Sequence, residues 1–220
     1  MMKSIRWTMV CRALAVCAVI GTAPAAMAQK WEFGGGIGGS FYTSRDATNN
    51  GQTAKAGIKN DIASSLWLVN NNHKKWGGEI RLDYQRGDLR LERSSTEARF
   101  SAETYALHYD FQYHFREREA RVRPFVAAGA GIKVFRGTGS ESATQPLSNF
   151  AFLTKTTDLR PVISLGAGIK WQIARSMQFR LELHDYLTPF PDQIIAPNVG
   201  TNVSGWLNNL VPLAGISYTF

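Results

Sequence analysis

Twelve consecutive residues, TYALHYDFQYHF at 104–115, alternate without a break. Tyr105, Leu107, Tyr109, Phe111, Tyr113 and Phe115 are large and apolar or aromatic, while Thr104, Ala106, His108, Asp110, Gln112 and His114 are small or polar. A period of two puts these sets on opposite faces of a β-strand. Five aromatics are much for one strand to bury, and the polar faces of other strands carry charges of both signs. Glu79, Arg81 and Asp83 alternate with Ile80, Leu82 and Tyr84; Gln178, Arg180, Glu182 and His184 alternate with Phe179, Leu181 and Leu183. Such strands want an apolar medium outside and a polar one inside. The chain has no run of 18 apolar residues, so no helix crosses a bilayer. Without helices, only a closed barrel pairs every backbone polar group in lipid. The pattern predicts an all-β fold, an eight-stranded antiparallel transmembrane β-barrel, apolar toward lipid and polar toward its lumen.

The strands are expected at 30–42, 56–70, 75–91, 97–116, 122–136, 158–174, 177–188 and 208–220. Long connections at 43–55, 137–157 and 189–207 are rich in Gly, Asn, Ser, Thr and Pro, and short turns lie at 71–74, 117–121 and 175–176. Short turns on one side and long loops on the other are the habit of bacterial barrels, which places both termini on the periplasmic side. The third and fourth strands are expected to run past the membrane as a polar hairpin, LRLERSSTEARF, with a bulge at Gly87 where the pattern changes phase. The phase of the second strand stays open, because SSLWLV at 64–69 fits either face.

One phrase occurs twice, RPFVAAGAGIKVF at 123–135 and RPVISLGAGIKWQI at 160–173. Neither copy has the G-x-x-x-x-G-K-[ST] or G-x-G-x-x-G spacing of a phosphate loop. Read with period two, each puts glycines and a lysine on one face. Gly129, Gly131, Gly166 and Gly168, with Gly34, Gly36 and Gly38, are expected in the lumen. An eight-stranded barrel is only wide enough for side chains to fill. Bare strands leave room for long charged residues from the others.

Residues 1–28 read as a secretory leader: a basic MMKSIR, an apolar ALAVCAVI and an Ala26-Met27-Ala28 cleavage site, with the barrel domain at 29–220. Both cysteines, Cys11 and Cys17, fall in the leader, so the mature chain is expected to carry no disulfide. Removing Lys3, Arg6 and Arg12 lowers the formal charge from +8 to +5. In an exported protein this excess points to lipid phosphate as the anionic partner rather than to nucleic acid.

The RPFVAAGAG strand, LELHDY at 181–186 and the terminal GISYTF resemble the small OmpA-like and OmpW-like outer-membrane β-barrel family, single eight-stranded domains of Gram-negative bacteria. The resemblance implies residence in the outer membrane after export through the periplasm. It implies a last strand, with Ile216, Tyr218 and Phe220 on one face, that the barrel-assembly machinery reads. It also implies outer-membrane lipid and lipopolysaccharide as partners and a monomer. Members are variously structural, adhesive or passages for small solutes, and the resemblance does not choose among these.

Catalysis is not expected. A serine-hydrolase reading would need His184, Asp185 and Ser204, but neighbours 184 and 185 point to opposite faces, and no H-x-S pattern lies near the C-terminus. His108 and His114, six apart on one strand, lie roughly 20 Å apart and cannot share a metal. Neither a metal nor another cofactor is expected. The best functional material is a set of inward charges: Glu32, Glu79, Arg81, Asp83, Asp110, Lys133, Lys170, Arg180 and Glu182. Opposite signs should pair in a narrow lumen. Two readings follow, a salt-bridged plug suited to a structural or surface-interaction role in the envelope, and a gate for a narrow pore or a path for small hydrophobic molecules. A continuous apolar groove in the lumen would favour the second; Trp67 and Phe125 are the large apolar residues expected there. Phe150, Phe152, Phe190, Ile194, Ile195 and Trp206 lie on the long loops, as a contact surface or as a cap over the mouth.

Overall fold

The computed structural model describes residues 31–71, 73–142 and 144–220. The expected leader and the first residues of the expected barrel domain lie outside the described residues. In chain order the strands are β1 (Trp31–Tyr42), β2 (Arg45–Asn49), β3 (Gln52–Ile58), β4 (Asp61–Asn70), β5 (Trp76–Arg86), β6 (Leu89–Arg93), β7 (Thr96–Phe100), β8 (Ala102–His114), β9 (Val122–Gly137), β10 (Ala151–Leu153), β11 (Thr157–Ala174), β12 (Met177–Pro189), β13 (Ile195–Pro197) and β14 (Trp206–Thr219). Eight of them, β1, β4, β5, β8, β9, β11, β12 and β14, form a closed antiparallel barrel. Closure is by β1, which pairs with β4 on one side and β14 on the other. The chain end is tied in as well: Trp31 N donates to Phe220 O at 3.1 Å and Phe220 N to Trp31 O at 2.9 Å.

The eight expected strands are all present, but the second, third and fourth were drawn too long. Each runs from the barrel into a separate four-stranded sheet, β2-β3-β6-β7, that stands beyond the barrel mouth. The long loops expected at 43–55, 137–157 and 189–207 are not wholly irregular either. They carry β2 with the first half of β3, β10 and β13, and the last two pair with each other. The β2–β3 connection is Asn50-Gly51, both with positive φ (48° and 74°), the two-residue hairpin turn whose twist matches the strands.

No phase change occurs at Gly87. Glu79, Arg81, Asp83, Gln85, Gly87, Leu89 and Leu91 are all buried, so the odd positions point inward from β5 through β6. What changes is the surrounding medium. In β5 the outward Ile80 and Leu82 are exposed toward lipid and the inward residues are polar. In β6 the outward Arg90 and Glu92 pair with each other, while the inward Leu89 and Leu91 are apolar. The hairpin expected to be polar is therefore polar on one face only. Gly87 serves a close approach instead: a Cβ there would stand 2.7 Å from Lys59 O.

Strand phase is settled for β4 too. Ser65, Trp67 and Val69 are buried inward, whereas Leu66 is 51% exposed on the outer wall.

Candidate functional site

All nine inward charges expected from the sequence lie buried in the lumen. The room for them comes from glycines. Gly34 and Gly36 in β1 flank the Trp67 indole, where a Cβ would stand 2.5 Å from Nε1 or 3.0 Å from the ring's far carbon. In the repeated phrase, Gly129 and Gly131 face Asp110 and His108, Gly166 faces the His184 ring at 2.6 Å, and Gly168 faces Phe125 at 2.8 Å. Gly129 and Gly131 on β9 and Gly166 and Gly168 on β11 thus each lie against a side chain from a neighbouring strand.

The centre of the network is Arg180. It contacts Glu32 at 3.2 Å, Glu79 at 2.9 Å and Glu182 at 2.7 Å. Arg81 bridges Glu79 and Glu182, each at 2.7 Å, and Lys170 binds Glu32 at 2.7 Å. Gln112 completes Glu79 with a 2.6 Å hydrogen bond. Three cations therefore share three carboxylates with almost no exposure, the condition under which buried charges are tolerated. Both guanidiniums lie over the Trp67 ring, with Arg180 Cζ 4.3 Å and Arg81 Cζ 5.1 Å from its centroid. Its Nε1 donates to Ser217 Oγ at 3.0 Å. Stacked guanidiniums gain from the ring face in a desolvated site.

A second cluster lies toward the loop end. His108 Nδ1 is 2.9 Å from Asp110 Oδ1, and its Nε2 is 3.0 Å from Asp83 Oδ2. Both ring nitrogens thus face carboxylate oxygens, one on β5 and one on its own strand. Ser65 donates to Asp83, and Ser164 to Asp110 at 3.2 Å. Lys133 stands apart from both clusters. It donates to Asn209 Oδ1 at 2.8 Å and is surrounded by the rings of Tyr42, Phe135 and Tyr186, at 4.8, 5.4 and 5.4 Å. Among the described residues it has no ion pair.

Trp67 and Phe125 are buried in the lumen, as the sequence predicts, and they are joined by an apolar patch that the sequence reading does not name: Ala63, Val162, Tyr186, Val211 and Leu213. The alternation of β12 and β14 already put Tyr186 and Val211 inward; the signal lay in carrying each strand's phase to its end. The alternation places His108 on the polar face of its strand; its two carboxylates lie on β5 and on its own strand, a pairing that only the register reveals.

Hydrolase geometry is absent from the candidates named for it. His184 faces the lumen, and Asp185, on the other face of β12, accepts from Asn208 at 3.1 Å. Ser164 Oγ lies 3.3 Å from His184 Nδ1, and Asp110 lies 3.8 Å from that same nitrogen. A relay needs nucleophile and orienter on opposite ring nitrogens; Glu182 stands 3.7 Å from His184 Nε2, but its carboxylate is held by Arg81 and Arg180, and Ser164 is fully buried in the lumen. Among the described residues no group of three or more His, Cys, Asp or Glu side chains is placed to hold a metal.

Above the lumen the loops form a lid. Leu89, Leu91, Ala98 and Phe100 from β6–β7 pack with Phe135, Phe150, Leu153, Phe190, Ile194, Ile195 and Leu207 in one buried cluster. Of the six apolar loop residues noted in the sequence, Phe150, Phe190, Ile194 and Ile195 are buried here; Phe152 and Trp206 are exposed. The outer wall carries an aromatic belt at the short-turn end, including Trp31, Trp76, Phe115, Trp171 and Tyr218, all exposed.

Residues 13–205 match the family described as Outer membrane protein beta-barrel domain. No curated protein matches the chain. Among solved structures, the outer membrane protein OprG from Pseudomonas aeruginosa is 14% identical, with 88% of this chain and 97% of that one covered and a TM-score of 0.54. Neisserial surface protein A is 10% identical over 88% of this chain and 99% of that one, with a TM-score of 0.49. Outer Membrane Protein W of E. coli is 15% identical over 87% and 99%, with a TM-score of 0.44. The likeness to OprG is one of fold.

Proposed function

The chain belongs to the outer-membrane β-barrel family, and from that premise we propose that it is a closed, non-enzymatic barrel of the Gram-negative envelope with a structural or surface-interaction role. In this reading a leader at 1–28 directs export through the periplasm, the short turns face the periplasm and the lid faces outward. The assembly machinery reads the strand end at Ile216, Tyr218 and Phe220, and outer-membrane lipid and lipopolysaccharide surround a monomer.

The observation that carries the proposal is the double closure of the lumen. Arg180 binds three carboxylates across the bore, and the apolar lid seals the mouth above it. An ion entering would have to displace paired charges that have no water to replace their partners. The apolar lumen residues Ala63, Val162, Tyr186, Val211 and Leu213 are buried in one packed cluster beside the network.

The test is conductance of the refolded protein in a planar bilayer, beside Arg180→Glu. A silent wild type and a leaking or misfolded variant are expected. Discrete wild-type openings that the variant alters would replace the plug with a gated pore.

A further inference from the structure

The outer wall near the short turns holds a cleft of about 400 Å³ lined by Asn70, His73, Trp76, Gly77, Gly78, Tyr109 and Phe111. Its floor is Gly78, which faces lipid and stands in register with Asn70 on β4 and Phe111 on β5's other neighbour, β8. A Cβ on Gly78 would stand 2.8 Å from the Tyr109 ring. Tyr109 is in register with Ile80, so its ring leans along the wall over the glycine, with the hydroxyl toward the turns. Trp76 packs on Tyr113 at 4.8 Å within the aromatic belt, which sets the cleft at the membrane interface. The cleft is apolar along Trp76 and Phe111; Asn70 and the Tyr109 hydroxyl stand level with Gly78, and His73 lies in the turn beyond.

The turns beside it are basic. Lys74 and Lys75 follow His73, and the next turn, 115–121, adds Arg116, Arg118 and Arg121 against Glu117 and Glu119. Lys74 reaches Glu117 at 3.4 Å with both side chains largely exposed, a weak pair. Neither Lys75 nor Arg116 has an ion pair among the described residues. An apolar cleft opening onto unpaired cations at the interface is complementary to an amphiphile with an anionic head.

We propose that this cleft binds an anionic glycerophospholipid of the periplasmic leaflet. One acyl chain lies along Trp76 and Phe111 against the Tyr109 ring that covers Gly78, and the phosphate meets the Lys74-Lys75 turn. The proposal rests on the reading that puts the short turns on the periplasmic side, and it is independent of whether the lumen is closed.

The protein, refolded into vesicles of equimolar phosphatidylglycerol and phosphatidylcholine, is extracted in mild detergent and weighed intact by native mass spectrometry. Phosphatidylglycerol is expected to be retained preferentially. Lys74→Gln with Lys75→Gln should cut that preference by about fivefold per lysine, toward parity. Trp76→Ala should lower retention of both lipids and leave the preference. Arg175→Gln, in the turn between β11 and β12, should change neither. Heat-modifiable migration on a gel checks that each variant is folded. Equal retention of the two lipids by the wild type overturns the proposal. So does an equal loss of preference in Arg175→Gln, which would mean a diffuse cationic ring with no site. Conductance plays no part in this outcome, so failure here leaves the plug reading untouched, and a conducting lumen leaves this one untouched.

Discussion

Arg180 stands with its guanidinium carbon 4.3 Å from the centroid of Trp67 while its nitrogens reach three glutamates. The ring face and the carboxylates hold one planar cation on several sides. Arg180→Met would leave Glu32, Glu79 and Glu182 with Arg81 and Lys170 alone. Removing one member of a buried ion network costs roughly 3–5 kcal/mol, and Arg180→Lys should recover little of it, since an ammonium cannot present a planar fork to several carboxylates. Urea unfolding in lipid vesicles measures this; a loss below about 1 kcal/mol for Arg180→Met would show that the network does not hold the barrel.

The pairing of glycines with crossing side chains predicts a specific coupling. The three atoms nearest to a Cβ at Gly166 would all belong to the His184 ring, the first at 2.6 Å. Gly166→Ala should destabilise the barrel, and His184→Ala should relieve much of that in the double variant. A double-mutant cycle should give a coupling of about 0.5–3 kcal/mol. Strict additivity would mean that the glycine is there for some other reason.

The lid should come apart without the barrel. Phe150 is fully buried in the lid cluster, with the Arg93 guanidinium over its ring at 5.5 Å. Truncation of a buried phenylalanine to alanine costs about 3–5 kcal/mol. In Phe150→Ala the loss should fall on the loops: limited proteolysis should nick 137–157 sooner, while the folded band on an unheated gel persists. If the folded band is lost with the loop, lid and barrel are one cooperative unit.

Surface pairing on the projecting hairpin should matter little by contrast. Arg99 reaches Glu97 at 2.7 Å, and that bond with the positive charge holds the Glu97 carboxyl below the usual carboxylate range. Both groups are solvated, so screening takes most of the benefit. Arg99→Ala should leave the urea midpoint unmoved within error, and a clear fall in the midpoint would contradict this.

Strand identity and facing were legible because a barrel wall divides two media and writes that division into every second residue. The alternation at 104–115 and the repeated glycine phrases place the lumen face of β8, β9 and β11 directly. Partners within the lumen were not legible. Arg180 meets Glu32 across 148 positions, and strand tilt decides which inward residues stand level. The phase of β4 is ambiguous in the sequence because Ser64 and Ser65 are small and polar on both faces; it is resolved by the bare stretch of β1, Gly34 and Gly36, against which Trp67 packs. The lid was hidden for a different reason. Its core is gathered from several segments, each contributing a few apolar residues too sparse to make a pattern. One local signal was there to be used: Asn50-Gly51 marks a hairpin inside what composition alone calls a loop.

The unbroken pleat from Glu79 to Leu91 also fixes how deeply the molecule sits. Up to Gln85 the strand is dressed for oil outside, and from Leu89 onward it is dressed for water outside. Sliding the barrel outward along its axis would lift Leu82 and Ile80 into solvent, and sliding it inward would draw Arg90 and Glu92 into the hydrocarbon. Either displacement is opposed at once, so the chain carries its own waterline, set by where the inside-out half of the strand meets the outside-in half.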